Sequence, residues 1–279
     1  MTRLSFCGDQ VRRYDNDRYL TALLAPADRR EALFALYAFN LEVAKTREAV
    51  SEPMVGQIRL QWWREAIEGL YAGDVRPHEV VRPLAEAIDR FALGRALFDR
   101  LIDAREADLD ATPPATYDDL ERYAAGTSSS LMMLALEVLG ATGEAAGRAA
   151  HHAGVAWALV GLLRALVFHG AAKRQYLPDD LMRAAGADLR DLFELRGSAA
   201  LVEVVKDVAE RARAELAQAR AERPAVPRAA LPALLPAILA DAYLRRMARQ
   251  DYDLFARPIE LSQPYRQWRL LRAHLSGRF

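Results

Sequence analysis

Hydrophobic residues recur with the spacing of an α-helix along almost the whole chain. In the segment 28–48, for example, Leu33, Leu36, Tyr37 and Ala44 fall on one helical face. Alternating runs rich in Val, Ile and Thr, which would predict strands, are almost absent. Prolines and glycines interrupt the periodic segments at intervals and mark turns between them. The pattern therefore predicts an all-α fold.

The chain is long enough to bury a sizeable core. It has 279 residues, of which 52% are hydrophobic, and no low-complexity segment or internal repeat divides it. The segment 223–236 holds four prolines, which predicts a connector, although proline in a first helical turn can also restart a helix. We predict one domain over residues 1–279.

Charge and cysteine content exclude some classes of protein. The net charge is zero and the pI is about 7.0, which argues against a dedicated nucleic-acid binder. The single cysteine, Cys7, cannot form an internal disulfide and suits a reducing compartment. The N-terminal segment lacks a long apolar run, so we expect no secretory signal. The longest low-charge run, 153–168, contains Arg164 and falls short of the roughly 20 residues that span a bilayer. We expect a cytoplasmic protein.

Charged residues are distributed unevenly along the chain. The segment 99–121 holds eight acidic residues and two basic ones, whereas the segment from Asp241 onward holds eight arginines and four acidic residues. Two interpretations stay open. In the first, both segments are solvated helix faces. In the second, the C-terminal segment forms a basic surface for an anionic lipid or an acidic partner.

Two stretches combine an apolar helix pattern with polar residues four apart. They are Tyr37–Glu48 (YAFNLEVAKTRE) and Gly154–Pro178 (GVAWALVGLLRALVFHGAAKRQYLP). Arg164 lies inside the apolar part of the second stretch, and a buried guanidinium requires a partner. In one interpretation that partner is Glu48 or another carboxylate in a cavity between the two helices, and in the other it is a bound anion.

Six blocks of the sequence resemble the squalene/phytoene synthase family. They are LLAPADRREALFALYAFN (23–40), RLQWWREAIEGLYAG (59–73), DLERYAAGTSS (119–129), GVAWALVGLLR (154–164), RQYLP (174–178) and YLRRMARQDYDLFARPIELS (243–262). The resemblance implies an isoprenoid-synthase-type helical bundle around a central cavity. In that family, two aspartate-rich helices hold Mg²⁺ ions that neutralise the diphosphate leaving group.

The sequence departs from the family at the aspartate positions. The first motif corresponds here to Ala44, Lys45 and Glu48, and the second to Gly161, Ala165 and His169. Glu48 is the one carboxylate among these six residues, and several are needed to hold magnesium. We therefore expect a pseudoenzyme without prenyl transfer, metal or cofactor. The alternative is an active prenyl transferase with altered ligands, which would need Mg²⁺.

Three segments are similar to a branch of this family, the complex I assembly factors of mitochondria and their bacterial relatives. They are 7–44, READLD (105–110) and LRALVFHG (163–170). The resemblance implies assembly of respiratory complex I, with partners among its membrane-arm subunits. It also allows an isoprenoid or lipid ligand, contact with a membrane surface and a peripheral location on the inner membrane. We expect no nucleic acid among the partners.

Nine residues are candidates for an anion or lipid cavity: Tyr37, Lys45, Glu48, Trp62, Tyr123, Arg164, His169, Arg174 and Tyr176. Several also have purely structural interpretations. Glu48 is then a surface residue paired with Lys45 or Arg47, and His169 caps a helix or bonds within a loop. Lys173 and Arg174 then belong to a solvated loop instead of the rim of an anion site, and Trp62 belongs to the core as well as to a cavity wall.

Overall fold

The computed structural model describes residues 4–47, 53–110 and 112–279, and these residues form helices, turns and loops without a strand. The predicted all-α fold is confirmed. The helices are α1 (Phe6–Tyr14), α2 (Asn16–Ala22), α3 (Arg30–Ala44), α4 (Pro53–Ala72), α5 (Val81–Phe91), α6 (Arg95–Glu106), α7 (Tyr117–Ala124), α8 (Ser130–Leu139), α9 (Glu144–Arg164), α10 (Leu166–Ala171), α11 (Asp179–Ala185), α12 (Leu189–Phe193), α13 (Ala199–Ala221), α14 (Leu231–Leu234), α15 (Pro236–Ala248) and α16 (Gln263–Ser276).

Helix α9 is the centre of the bundle. It is apolar nearly all round, and a helix of that kind is stable when other helices cover every side. It packs against α8, α13 and α15. Small buried residues such as Ala149, Ala153 and Ala156 allow these neighbours to approach closely. No described helix, α9 included, has both the length and the apolarity needed to cross a membrane.

Helix α3 is buried along most of its length. It packs against α1, α5 and α8. Its Phe39 ring makes edge-to-face contacts with Trp63 of α4 and Phe98 of α6, each at 5.3 Å between ring centroids. These contacts set the direction of α3 and place its last residue, Ala44, beside the cavity described below.

Three stretches of the chain are subdivided into shorter elements in the structure. The segment 117–139 forms α7 and α8, joined by a π-helical turn at Ala125–Ser129. The segment 144–168 breaks at Ala165, where the backbone leaves the helical range between α9 and α10. The connector 223–236 holds two short 3₁₀ turns and α14, and Pro236 opens α15, as a proline in a first helical turn can.

Candidate functional site

A cavity of about 490 Å³ lies where the carboxyl ends of α3, α6, α7 and α9 meet, and α10 and the loop after it close one side. The partial negative charge of helix carboxyl ends favours cationic side chains at such a place. Among the described residues, the cavity is lined by Ala44, Arg47, Arg105, Asp108, Tyr123, Leu162, Phe168, His169, Ala172, Arg174 and Tyr176.

Asp108, in the short turn after α6, is the buried carboxylate of this cavity and is 6% exposed. Its Oδ1 accepts hydrogen bonds from the hydroxyls of Tyr123 at 2.8 Å and Tyr176 at 3.0 Å. Its Oδ2 accepts from Nη1 of Arg105 at 3.1 Å. The charge is therefore paired, and both carboxylate oxygens are engaged, as a buried carboxylate requires.

Two arginines complete the network around this carboxylate. Arg105 donates from Nη1 to the Tyr123 hydroxyl at 2.8 Å. Arg174 donates from Nη2 to the backbone carbonyl of Asp108 at 2.7 Å and from Nη1 to the Tyr176 hydroxyl at 3.4 Å. Each tyrosine hydroxyl thus donates to Asp108 and accepts from an arginine. The network joins α6 and α7 to the loop after α10.

Burial keeps the two tyrosines and the histidine of the cavity in their neutral forms. It raises the pKa of the Tyr123 hydroxyl well above its ordinary value, and burial together with Asp108 raises the pKa of Tyr176. The His169 ring lies 4.5 Å from the Tyr176 ring. Burial lowers the pKa of His169 to about 4; Asp108 opposes this shift, and Arg174 adds to it. At neutral pH His169 is an uncharged imidazole.

Several predicted residues meet at this cavity. Tyr123, His169, Arg174 and Tyr176 line it. Of the degenerate motif positions, Ala44 lines the cavity itself, and Gly161 lines an inner pocket of about 180 Å³ that shares Arg105, Tyr123 and Leu162 with it.

Tyr37, Lys45 and Trp62 have their described contacts elsewhere. Tyr37 is 3% exposed, and burial raises its pKa to about 12. The Lys45 amine lies 3.1 Å from the centroid of the Tyr14 ring, a cation–π contact. The Trp62 ring packs on Trp63 and lines a separate surface groove on α4. Spacing along a helix did not predict which neighbour each side chain would meet.

Arg164 has a partner that the sequence did not suggest. Its Nη1 lies 3.3 Å from Oδ2 of Asp17 in α2, and its guanidinium lies 3.7 Å from the centroid of the Tyr243 ring. The expected partner Glu48 lies outside the described residues. In the structure α9 turns this side chain towards α2 and α15. A role for Arg164 in an anion or lipid cavity stays a prediction.

The described residues do not fit a magnesium–diphosphate site. Ala44, Gly161 and Ala165 have no metal-binding side chain, and no group of three or more His, Cys, Asp or Glu residues in the described part of the chain is arranged to hold a metal ion. Both oxygens of Asp108 are hydrogen-bonded to other side chains. A magnesium ion needs near-octahedral oxygen ligation, which this arrangement does not offer.

Arg105 and Asp108 were missed as site residues by reasoning from the sequence. The block READLD carries part of the resemblance, and its acidic residues belong to the acidic segment 99–121, which one interpretation assigns to a solvated helix face. The position of Asp108 in the helical repeat of α6 is the sequence signal that could have identified it as an inward-facing residue. Asp108 follows Leu101 by seven residues, and Leu101 is buried, so both lie on the inner side of α6 and its extension.

Comparison with known proteins agrees with this fold. The sequence model of squalene/phytoene synthase matches residues 11–272. The chain is 36% identical over 251 residues to the Bos taurus protein named NADH dehydrogenase (ubiquinone) complex I, assembly factor 6, covering 90% of this chain and 75% of that protein. The Homo sapiens protein of the same name is 35% identical over the same shares of the two chains.

Among solved structures, a dehydrosqualene synthase in complex with a ligand superimposes with a TM-score of 0.85. The match covers 97% of this chain and 94% of the other, at 23% identity. At that identity the superposition supports the helical fold alone. The arrangement of helices is thus shared with a synthase.

Proposed function

Because this chain belongs to the squalene/phytoene synthase family, we propose that it is a non-catalytic member that serves in the assembly of respiratory complex I. The observation that carries the proposal is the 36% identity over 90% of the chain to a protein named as a complex I assembly factor. An assembly factor acts by binding. The fold then supplies a rigid helical body rather than a reaction centre.

The composition of the cavity supports a role without prenyl transfer. Ionisation of a prenyl diphosphate needs cations that neutralise the leaving group, held by several carboxylates. At the corresponding positions Ala44, Gly161 and Ala165 contribute no charge, and Lys45 contributes a positive one. The neutral His169 and the fully bonded Asp108 do not replace the missing ligands.

The cavity is better suited to an anionic or amphiphilic ligand than to a metal ion. Arg47, Arg105 and Arg174 line it together with one described carboxylate, Asp108. Nε of Arg105 is buried and has no hydrogen-bond partner among the described residues. A lipid or isoprenoid with a negatively charged head would satisfy this donor, with its apolar part against Leu162 and similar side chains.

The partners follow from the same proposal. Subunits of the complex I membrane arm are the protein partners we propose, and the location we propose is the cytoplasm, peripheral on the inner membrane. Neither nucleic acid nor a metal cofactor is needed for this role.

One experiment separates the assembly role from catalysis. Purified protein is incubated with farnesyl or geranylgeranyl diphosphate and Mg²⁺, and pyrophosphate release is measured beside a dehydrosqualene synthase as the active control. We expect release no faster than in buffer. Robust release by this chain would overturn the non-catalytic proposal.

A second experiment tests assembly in cells. The gene is deleted in its host, and NADH:ubiquinone oxidoreductase activity is measured in isolated membranes. We expect a loss of activity that the wild-type gene restores. A deletion strain with normal activity and a normal amount of assembled complex would contradict the assembly role, whatever the cavity binds.

A further inference from the structure

Helix α16 exposes large apolar side chains along one side. Tyr265, Trp268, Leu271 and Leu275 are 39%, 54%, 50% and 69% exposed, whereas Leu270 and Ala273 on the other side are buried. At 100° per residue, the four exposed side chains project within a sector of roughly 120°. We call these four residues the apolar stripe. In a water-soluble helix this side would normally be polar.

A pocket rich in arginine lies beside the stripe. It has a volume of about 590 Å³ and lies between α13, α15 and α16. Six arginines and one acidic residue, Asp241, are among its described lining residues, a formal excess of five positive charges. We call it the arginine pocket; its arginines are Arg220, Arg223, Arg245, Arg269, Arg272 and Arg278.

Asp241 neutralises only part of this charge. Its carboxylate lies within 3.6 Å of Arg220, 2.9 Å of Arg245 and 3.2 Å of Arg269. The other three arginines of the pocket, which include Arg223 and Arg272, are exposed at its edge. The pocket therefore attracts anions, and its exposed guanidiniums suit phosphate oxygens.

Arg272 joins the two features into one surface. It lines the arginine pocket, and its guanidinium carbon lies 5.5 Å from the centroid of the Trp268 ring. Apolar side chains and cationic side chains are thus adjacent on the same helix. This combination, with tryptophan and leucine beside arginine, is typical of helices that lie in the interface of a membrane.

We propose that the apolar stripe and the arginine pocket together bind the surface of an anionic phospholipid membrane. Trp268, Leu271 and Leu275 enter the boundary between headgroups and acyl chains, and the arginines hold lipid phosphates. A second copy of this surface is a poor occupant, because five excess positive charges would face five more. A bilayer presents phosphate and hydrocarbon in adjacent layers, which matches the order of the two features.

Vesicle binding tests the proposal on the purified full chain, independently of any role in assembly. The probes are vesicles of phosphatidylcholine alone and of phosphatidylcholine mixed with phosphatidylglycerol. We expect co-sedimentation with the anionic vesicles only, weakened by salt, and a blue shift of the fluorescence from the exposed Trp268. Phosphatidylglycerol lipids brominated on their acyl chains should quench that fluorescence.

Substitutions on the surface should weaken this binding. Each of Arg223→Gln and Arg272→Gln should lower the partition coefficient roughly fivefold, and Leu271→Ser with Leu275→Ser should abolish the co-sedimentation. Matched controls lie on other helices. Ile58→Ser removes an apolar residue that is 63% exposed on α4, and Arg190→Gln removes an exposed arginine of α12; neither should change binding.

Three results would overturn the proposal, provided that circular dichroism shows each variant folded. One is equal sedimentation with neutral and anionic vesicles, and another is a loss in the controls as large as in the surface variants. The third is the absence of vesicle binding by the wild-type chain. If Arg223→Gln and Arg272→Gln then impair complex I assembly in cells, the surface is assigned to an acidic protein instead.

Discussion

In the cavity, the carboxylate of Asp108 accepts hydrogen bonds from two tyrosines and an arginine. Asp108 is buried with Arg105, and burial of both charges is tolerated because each lies within hydrogen-bond distance of the other and of Tyr123. The same bonds make the carboxylate unavailable to a cation. Asp108 therefore has a structural role in the cavity wall, where it links α6, α7 and the loop after α10.

His169 should make stability depend on pH in a defined range. Its pKa is about 4 in the folded protein and about 6.5 when unperturbed. Because the folded pKa is the lower one, the unfolded chain binds a proton first as the pH falls. The free energy of unfolding should therefore fall as the pH drops from about 6.5 to about 4, by at most about 1.4 kcal/mol per pH unit.

The check on this prediction compares wild type with His169→Gln, whose side chain does not titrate. The difference between their unfolding free energies should be constant above pH 6.5 and change below it. An NMR titration of the imidazole should place its midpoint near 4. A midpoint near 6.5 would show that the ring is hydrated and that the burial argument is wrong.

At the scale of the element, the contact between α9 and the π-helical turn at Ala125–Ser129 depends on a missing side chain. A Cβ on Gly154 would lie 2.5 Å from Cα of Ser129. The hydroxyl of Ser129 donates to the carbonyl of His151 at 2.6 Å, one turn earlier in α9. The two backbones are thus in direct contact, and neither can shift without loss of that bond.

Gly154→Ala should therefore destabilise the protein by about 1–3 kcal/mol, although alanine is the better helix former. The matched control is Gly147→Ala in the same helix, where an added Cβ would meet nothing within 4 Å. That variant should gain up to about 1 kcal/mol. Chemical denaturation followed by circular dichroism measures both. Equal effects at the two positions would exclude the close approach as the cause.

At the scale of the whole molecule, Asp17 connects distant parts of the chain. Its Oδ1 accepts from Nη1 of Arg266 at 2.6 Å, and the two residues are 249 positions apart. Its Oδ2 accepts from the Tyr243 hydroxyl at 2.9 Å and from Arg164 at 3.3 Å. One buried carboxylate of α2 thereby holds α9, α15 and α16, the helix that carries the proposed membrane surface.

Asp17→Asn should lower the free energy of unfolding by about 3–5 kcal/mol, because it leaves Arg266 without its counter-charge in a largely buried place. The control is Asp103→Asn, which removes an exposed ion pair with Arg64 and should cost less than about 1 kcal/mol. Denaturant titration measures both variants. Hydrogen exchange should also show that α16 loses protection first in Asp17→Asn, and unchanged protection there would contradict this link.

The helical class and the identities of the motif residues can be read from the amino-acid sequence alone. Helix formation follows from a local period of 3.6 residues, and substitutions such as Ala44 and His169 are visible without coordinates. The contact partners of these side chains depend on the three-dimensional packing. Arg164 meets Asp17, and Arg105 and Asp108 enter the cavity, because packing of whole helices sets which side chains meet across long separations in the chain.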